Sequence, residues 1–430
     1  MGLTLSKSPI IKLIKQSKLL LINKKKIHHQ PPNNQIMYKK VNLLFLAALS
    51  YSCSSDDSSN YVEIDPYAAI TTTFGSNINP ESLYNYANQS VPAYITKDNT
   101  AGNSITNKGA TLGRVLFYDK NLSSNNTISC SSCHQQANAF GDTNIASVGV
   151  NGTTGRHSMR LINTRFANET RFFWDERAVN LETQTTMPIK DHGEMGFSGT
   201  NGDQNFNDLI TKLSNIGYYK ELFTFVYGSE EITESKIQLA LAQFVRSIQS
   251  FDSKYDIGRA QVANDGQPFP NFTPQENQGK NLFLSPPVFD ANGNRTSGGL
   301  GCAGCHAAPE FDINPLTGNN GIIGTINGNG IDITNTRAPS LRDLVKTDGT
   351  PNGPMMHTGV ITTLQAAVGH YGTINLAQGN TNLDVKLRPN GFGQQLHLNA
   401  QEMNAVIAFL RTLSGTNVYT DVKWSNPFPN

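Results

Sequence analysis

Apolar positions recur at helical spacing in a few separate stretches, divided by long polar tracts. From about Gly109, Leu112, Val115, Leu116 and Phe117 form one apolar face that runs to Tyr118-Asp119, which predicts a helix. Asn207 to Leu213 predicts a short helix, and Tyr218 to Tyr227 is rich in aromatic residues. Thr233 caps an amphipathic stretch with Ile237, Leu241, Phe244, Val245 and Ile248 on one face, read as a core helix. Thr273-Pro274-Gln275-Glu276 is a capping box with Pro at the first helical position. The segment after it, Gly279-Lys280-Asn281-Leu282-Phe283, echoes Gly113-Arg114-Val115-Leu116-Phe117, a weak internal duplication. A last box, Asn399-Ala400-Gln401-Glu402, opens a helix with Met403, Val406, Ile407 and Leu410 together, ending at Gly415. Gly, Asn, Thr and Ser fill the intervals, so the chain reads as mainly α with long loops.

A short motif follows each copy of the duplicated helix: Cys130-Ser131-Ser132-Cys133-His134 and Cys302-Ala303-Gly304-Cys305-His306. Cys-x-x-Cys-His is the attachment signature of a c-type haem. The thiols add across the two vinyl groups of a porphyrin, and the adjacent imidazole can turn under the iron. A single copy also suits a redox cysteine pair or half a zinc site. Two copies, in a chain with an export-like start, favour haem. The expected architecture is therefore two tandem cytochrome c-like haem domains, at residues 101–262 and 274–416. Residues 263–273, with Pro268 and Pro270, read as a linker, 54–100 as a tether and N-terminal extension, and 417–430 as a tail. The motifs consume four of the five cysteines, which leaves no disulfide framework and sets Cys53 apart.

Met37-Tyr38-Lys39-Lys40, the apolar run Val41 to Leu49 and then Ser50-Tyr51-Ser52-Cys53 have the layout of a secretory signal, too short to span a bilayer. A Cys just beyond the run reads as a lipoprotein cleavage site, with lipid on Cys53 anchoring the protein at the membrane surface. A plain signal peptide cut nearby is the other reading. Residues 1–53 are the leader, and 1–36 read as an over-extended start ahead of Met37. This places the protein on the periplasmic or cell-surface side, where c-type haem is attached. Nine of the 34 basic residues are lysines before Cys53, where no acid stands, so the rest carries 25 basic against 33 acidic residues. A mildly acidic body gives no support to nucleic-acid binding.

Between the haem motifs lie Phe173-Trp174-Asp175-Glu176-Arg177-Ala178, then Gln184 and Glu194. With both motifs, these segments resemble the bacterial di-haem cytochrome c peroxidase family, which includes the di-haem enzymes that mature methylamine dehydrogenase. The likeness runs from about Gly109 to Gly415. Glu176 stands where the family usually has Gly, and Asp191-His192-Gly193 where it often has Asn-Pro-x. Peroxide cleavage needs an iron with an open face and a group that moves a proton from the near oxygen to the far one. The resemblance assigns Glu194 as that distal acid–base, Gln184 as the amide that orients peroxide, and Trp174 as a stepping point for electrons between haems. Without it, a Glu near a helix start is ordinarily a cap or a solvated residue, and a Trp is core packing.

The resemblance also implies His134 and His306 as proximal ligands. Many family peroxidases rest with a His capping the first iron, but residues 135–156 hold no His, so a five-coordinate first haem is expected. His157 is the alternative sixth ligand. Where the familiar peroxidases place a Met ligand on the second haem, this chain has Tyr371, as in the methylamine-dehydrogenase-maturation branch. Its rivals are His370, Met355 and Met356. A phenolate stabilises ferric iron, whereas thioether sulfur raises the potential. The family's interdomain calcium site would draw on Asn352 and Pro354, but with His157 or Ser158 in place of its Asn, calcium is doubtful. The implied activity is reduction of hydrogen peroxide with electrons from a small c-type cytochrome or similar donor. The alternatives are oxidation of a protein side chain or small organic molecule, and a non-catalytic electron carrier.

Overall fold

The computed structural model describes residues 65–167, 171–312 and 317–429. The expected leader, Cys53 and the acidic run after it lie outside the described residues. In chain order the first half contributes α1 (Ala68–Phe74), α2 (Asn107–Tyr118), α3 (Cys130–Cys133), α4 (Leu181–Thr186), α5 (Phe206–Ser214), α6 (Gly217–Tyr227) and α7 (Glu234–Ser247). The second contributes α8 (Lys254–Arg259), α9 (Pro274–Leu284), α10 (Leu364–Gly372) and α11 (Ala400–Arg411). Strands are confined to antiparallel pairs, β1 (Val148–Gly149) with β2 (Gly152–Thr153) and β3 (Pro287–Phe289) with β4 (Arg295–Gly298).

The duplicated pentapeptides become one packing device used twice. α2 crosses α7, and α9 crosses α11. At the first crossing a Cβ on Gly113 would collide with the Ala240 carbonyl, and at the second a Cβ on Gly279 would collide with that of Ala405. The glycines are there because two backbones touch. Beside each crossing lies the same aromatic trio. Phe117 meets Phe244 at 5.2 Å and Phe140 at 6.0 Å; Phe283 meets Phe409 at 5.3 Å and Phe311 at 5.8 Å. The basic residue after each glycine is buried and satisfied by backbone carbonyls, Arg114 by Ser425 at 2.7 Å and Lys280 by Gln267 at 2.7 Å. Thr106 and Thr273 cap the two leading helices.

Each half has its own apolar core, one running from Ile70 to Ile248 and the other from Tyr255 to Leu413. Phe269 and Phe272, in the stretch read as a linker, are buried in the second core. α1 sits within the first, where Ile70 and Phe74 are buried. The tail also joins the first core, through Val418 and Trp424. Its backbone accepts hydrogen bonds from Tyr118 (2.7 Å, Trp424 O) and Tyr86 (2.5 Å, Lys423 O). Within the second half Arg342 donates to both oxygens of the buried Asp256 at 3.0 Å, and the Tyr94 hydroxyl of the first half ties onto the same carboxylate at 2.7 Å. Among the described residues no helix is long and apolar enough to cross a membrane.

Candidate active site

In the first half the motif cysteines bracket the one-turn helix α3, which closes with the His134 N–H on the Cys130 carbonyl at 2.9 Å. The His134 Nδ1 lies 3.1 Å from the Phe140 carbonyl. Ala139 and Phe140 have φ of 53° and 58°, a left-handed turn that points this carbonyl back at the ring. With Nδ1 as donor, Nε2 is left as the ligand nitrogen. Burial holds the His134 imidazole below its usual pKa, in the neutral form that binds metal.

Cys130, Cys133 and His134 line a cleft together with Gln184 and Glu194. Gln184 is placed by α4, whose first turn is capped when Asn180 accepts the Thr183 N–H at 2.8 Å. Glu194 is held by its backbone, its N–H on Asp191 Oδ1 at 3.0 Å and its carbonyl accepting from Val150 at 3.0 Å. A Cβ on Gly149 would strike the Gly193 carbonyl, so only glycine lets β1 lie this close to the segment. The Glu194 carboxyl has no hydrogen-bond partner among the described residues, and burial, aided by Asp191 and opposed by Arg177, pushes its pKa up to about 7. The cleft encloses about 80 Å³.

The second half repeats the proximal device. His306 Nδ1 lies 3.2 Å from the carbonyl of Phe311, again left-handed at φ 56°, and burial pushes the His306 pKa down to about 4. Cys302, Cys305 and His306 line a largely apolar cavity of about 560 Å³, within the usual range for cofactor sites. Tyr371, on α10, also lines it, as do Met355 and Met356. The Tyr371 hydroxyl lies 4.0 Å from Met356 Sδ, which also accepts from Asn320 Nδ2 at 3.3 Å. His370 instead points its Nε2 at the Asn320 carbonyl, 2.8 Å away, and is not part of the cavity wall.

The thiols discriminate between readings of the motifs. Burial pushes Cys130 and Cys302 up to about 12, and Cys133 and Cys305 to about 11. A redox cysteine pair depends on a lowered thiol pKa. Among the described residues no group of three or more Cys, His, Asp or Glu is arranged to hold a metal ion. Two neutral thiols followed by a buried imidazole, on the wall of a cavity, fit a covalently tethered haem in each half.

The segment after the first haem loop runs between the two sites. Ser158 lines both cavities, while His157 and Trp174 line only the second. The Trp174 indole donates to the His157 carbonyl at 2.6 Å, and the His157 ring bonds the Asn144 carbonyl at 2.9 Å. His157 is therefore pinned on the side of the second haem rather than over the first. Asn352, one of the positions matched to calcium, uses its amide N–H on the Asp343 carbonyl and the Tyr419 hydroxyl. Arg160, also on the second cavity wall, was not singled out by sequence reasoning, since nothing in its local pattern marks it.

The profile of the family described as di-haem cytochrome c peroxidase matches residues 107–262. The methylamine utilization protein MauG of Methylophilus methylotrophus is 26% identical over 80% of this chain and 91% of its own length. The cytochrome c551 peroxidase of Nitrosomonas europaea is 27% identical over 71% of this chain and 80% of its own. Among solved structures, a MauG-like protein associated with microbial copper homeostasis superposes with a TM-score of 0.61 at 27% identity, covering 79% of this chain and 99% of that one. The diheme peroxidase BthA of Burkholderia thailandensis shares the fold, with a TM-score of 0.55 at 20% identity over 79% of this chain and 90% of that one. The profile spans the first site from α2 to just beyond α8, and the relatives extend the likeness through the second, so this chain is similar to di-haem cytochrome c peroxidases across both motifs.

Proposed function

We propose that this protein reduces hydrogen peroxide to water at the haem held by His134, using electrons that enter through the haem held by His306. When bound, the two c-type haems supply one-electron redox chemistry, and two electrons and two protons convert one peroxide to two waters. The observation that carries the reading is Glu194: a carboxyl without a hydrogen-bond partner in the cleft of the first motif, with a pKa near neutrality. Such a group can take the proton from the near peroxide oxygen and return it to the far one, which leaves as water. Gln184, in the same cleft, presents an amide that can orient the peroxide. Trp174 serves as a stepping residue at the edge of the second cavity, with the His157–Ser158 backbone continuing toward the first. We read the halves as tandem haem domains, with lipid on Cys53 holding them on the periplasmic or cell-surface side. The electron donor is a small c-type cytochrome or an equivalent one-electron carrier.

The test is Glu194→Gln. Peroxide turnover with a reduced c-type donor falls about 10²- to 10⁴-fold, the usual contribution of a positioned acid–base group, while mass spectrometry still counts two haems. Parent-rate turnover by the variant overturns the reading. A second reading, oxidation of a protein side chain or a small organic molecule, is favoured by Tyr371 standing on the second cavity wall. Comparing turnover of organic substrates with turnover of the c-type donor separates the two.

A further inference from the structure

The second cavity is largely apolar, yet its wall includes the side chain of Arg160, contributed by the first half. Arg160 Nη2 donates to the Ser340 carbonyl at 3.0 Å, while its buried Nε has no hydrogen-bond partner among the described residues. Burial pulls the guanidinium below its usual pKa, and Asp343 is the carboxylate that acts against this. Yet Asp343 Oδ1 is engaged by the Gly415 N–H at 2.9 Å and the Tyr419 hydroxyl at 3.2 Å. Among the described residues no carboxylate forms an ion pair with Arg160. Leaving a buried guanidinium without a counter-charge is costly in a low-dielectric site. The cavity's occupant is therefore expected to bring an anion to this point of the wall.

A c-type haem carries two such anions. Cys302 and Cys305 consume its vinyl groups, and its two propionates remain as carboxylates. We propose that Arg160 pairs with a propionate of the second haem. The assignment rests on the reading that this cavity holds haem c. It makes Arg160 a positioning residue with a double attachment. Its Cγ also packs so closely on Gly141 that a Cβ there would lie 2.9 Å away, and Gly141 adjoins the Phe140 carbonyl that orients His134. One side chain thereby seats the second haem from the half that carries the first.

The experiment has two arms on the holoprotein. A crystal structure of the parent places a propionate oxygen within ion-pair distance of the Arg160 guanidinium; both propionates turned away from it overturn the proposal. Spectroelectrochemistry of Arg160→Gln, at alkaline pH where a lone carboxylate stays ionised, shows the potential of the second haem shifted downward. Losing the cation and exposing the propionate charge both favour ferric iron. Arg160→Lys restores most of the shift, which a purely structural role would not predict. An unchanged potential in Arg160→Gln overturns the proposal. If Arg160→Gln does not fold, the parent structure and Arg160→Lys decide. A mass spectrum with fewer than two haems on the parent instead overturns the functional reading beneath.

Discussion

The carboxyl of Glu194 is held near neutrality by burial, so its protonation state is divided across the physiological range. To accept a proton from peroxide it must be ionised, and that form is lost as pH falls through about 7. The expected outcome is a kcat/KM for peroxide that falls about tenfold per pH unit on the acid side, measured by stopped-flow mixing. A second buried acid gives a stability prediction. Glu310 is 2% exposed, neither oxygen has a hydrogen-bond partner among the described residues, and burial pushes its pKa up to about 8. The folded protein keeps this proton where the unfolded chain releases it. Its contribution to stability is therefore lost as pH rises from the ordinary carboxylate range through about 8. Glu310→Gln, which supplies a neutral group of the same shape, stabilises the protein by about 1–3 kcal/mol at pH 7. The gain shrinks at acid pH, as thermal unfolding at each pH will report. Neither environment is written in the local sequence. Glu194 was found by resemblance and spacing, whereas Glu310 sits in an unremarkable Pro309-Glu310-Phe311 run and acquires its character only from what folds over it.

At the level of elements, the paired crossings are the most demanding geometry in the molecule. Gly279→Val forces a branched side chain against the Ala405 carbonyl, with Phe409 behind it, and should separate α9 from α11. Overpacking of this kind costs about 1–3 kcal/mol; chemical denaturation of the variant against the parent measures it, and an unchanged midpoint would contradict the close approach. These helices were the part of the fold most legible in the sequence. The amphipathic faces of α2, α7 and α11 and the boxes opening α9 and α11 are local signals, and local signals survive without tertiary knowledge. The echo around Gly113 and Gly279 was visible too, but its reason, two backbones in contact, was not. Least legible were the connections. α1 is short and sparsely apolar, the Phe140 and Phe311 turns place bulky residues at positive φ, and loops near 320 and 380 are joined by backbone bonds such as Asn319 to Asn382 at 2.7 Å. Such contacts depend on partners far along the chain, which periodicity does not encode.

For the molecule as a whole, the sequence indicated two haem motifs and two similar halves but gave no sign of how firmly the halves are joined. The Tyr94 hydroxyl reaches across to the buried Asp256 at 2.7 Å, Arg156 reaches from the first half to Asp332 at 2.6 Å, and the Arg337 N–H donates to the Trp174 carbonyl at 2.7 Å. A fixed separation suits electron passage between two sites better than a hinge would. The indole that stands at this boundary is held at both its ring N–H and its backbone carbonyl, so its placement does not depend on packing alone.

The return of the tail to α2 carries a consequence for biogenesis. The first core cannot be finished until the ribosome has released Trp424, although its own motif emerges nearly 300 residues sooner. The half made later has its complement of residues by Leu413, so it is free to close first. A stop codon after residue 416 should yield protein whose second porphyrin attaches normally while the first is incorporated poorly or lost, as peptide mass mapping of each Cys-x-x-Cys-His segment would reveal. Equal loading of both segments in that truncated product would show that the terminus is dispensable to maturation.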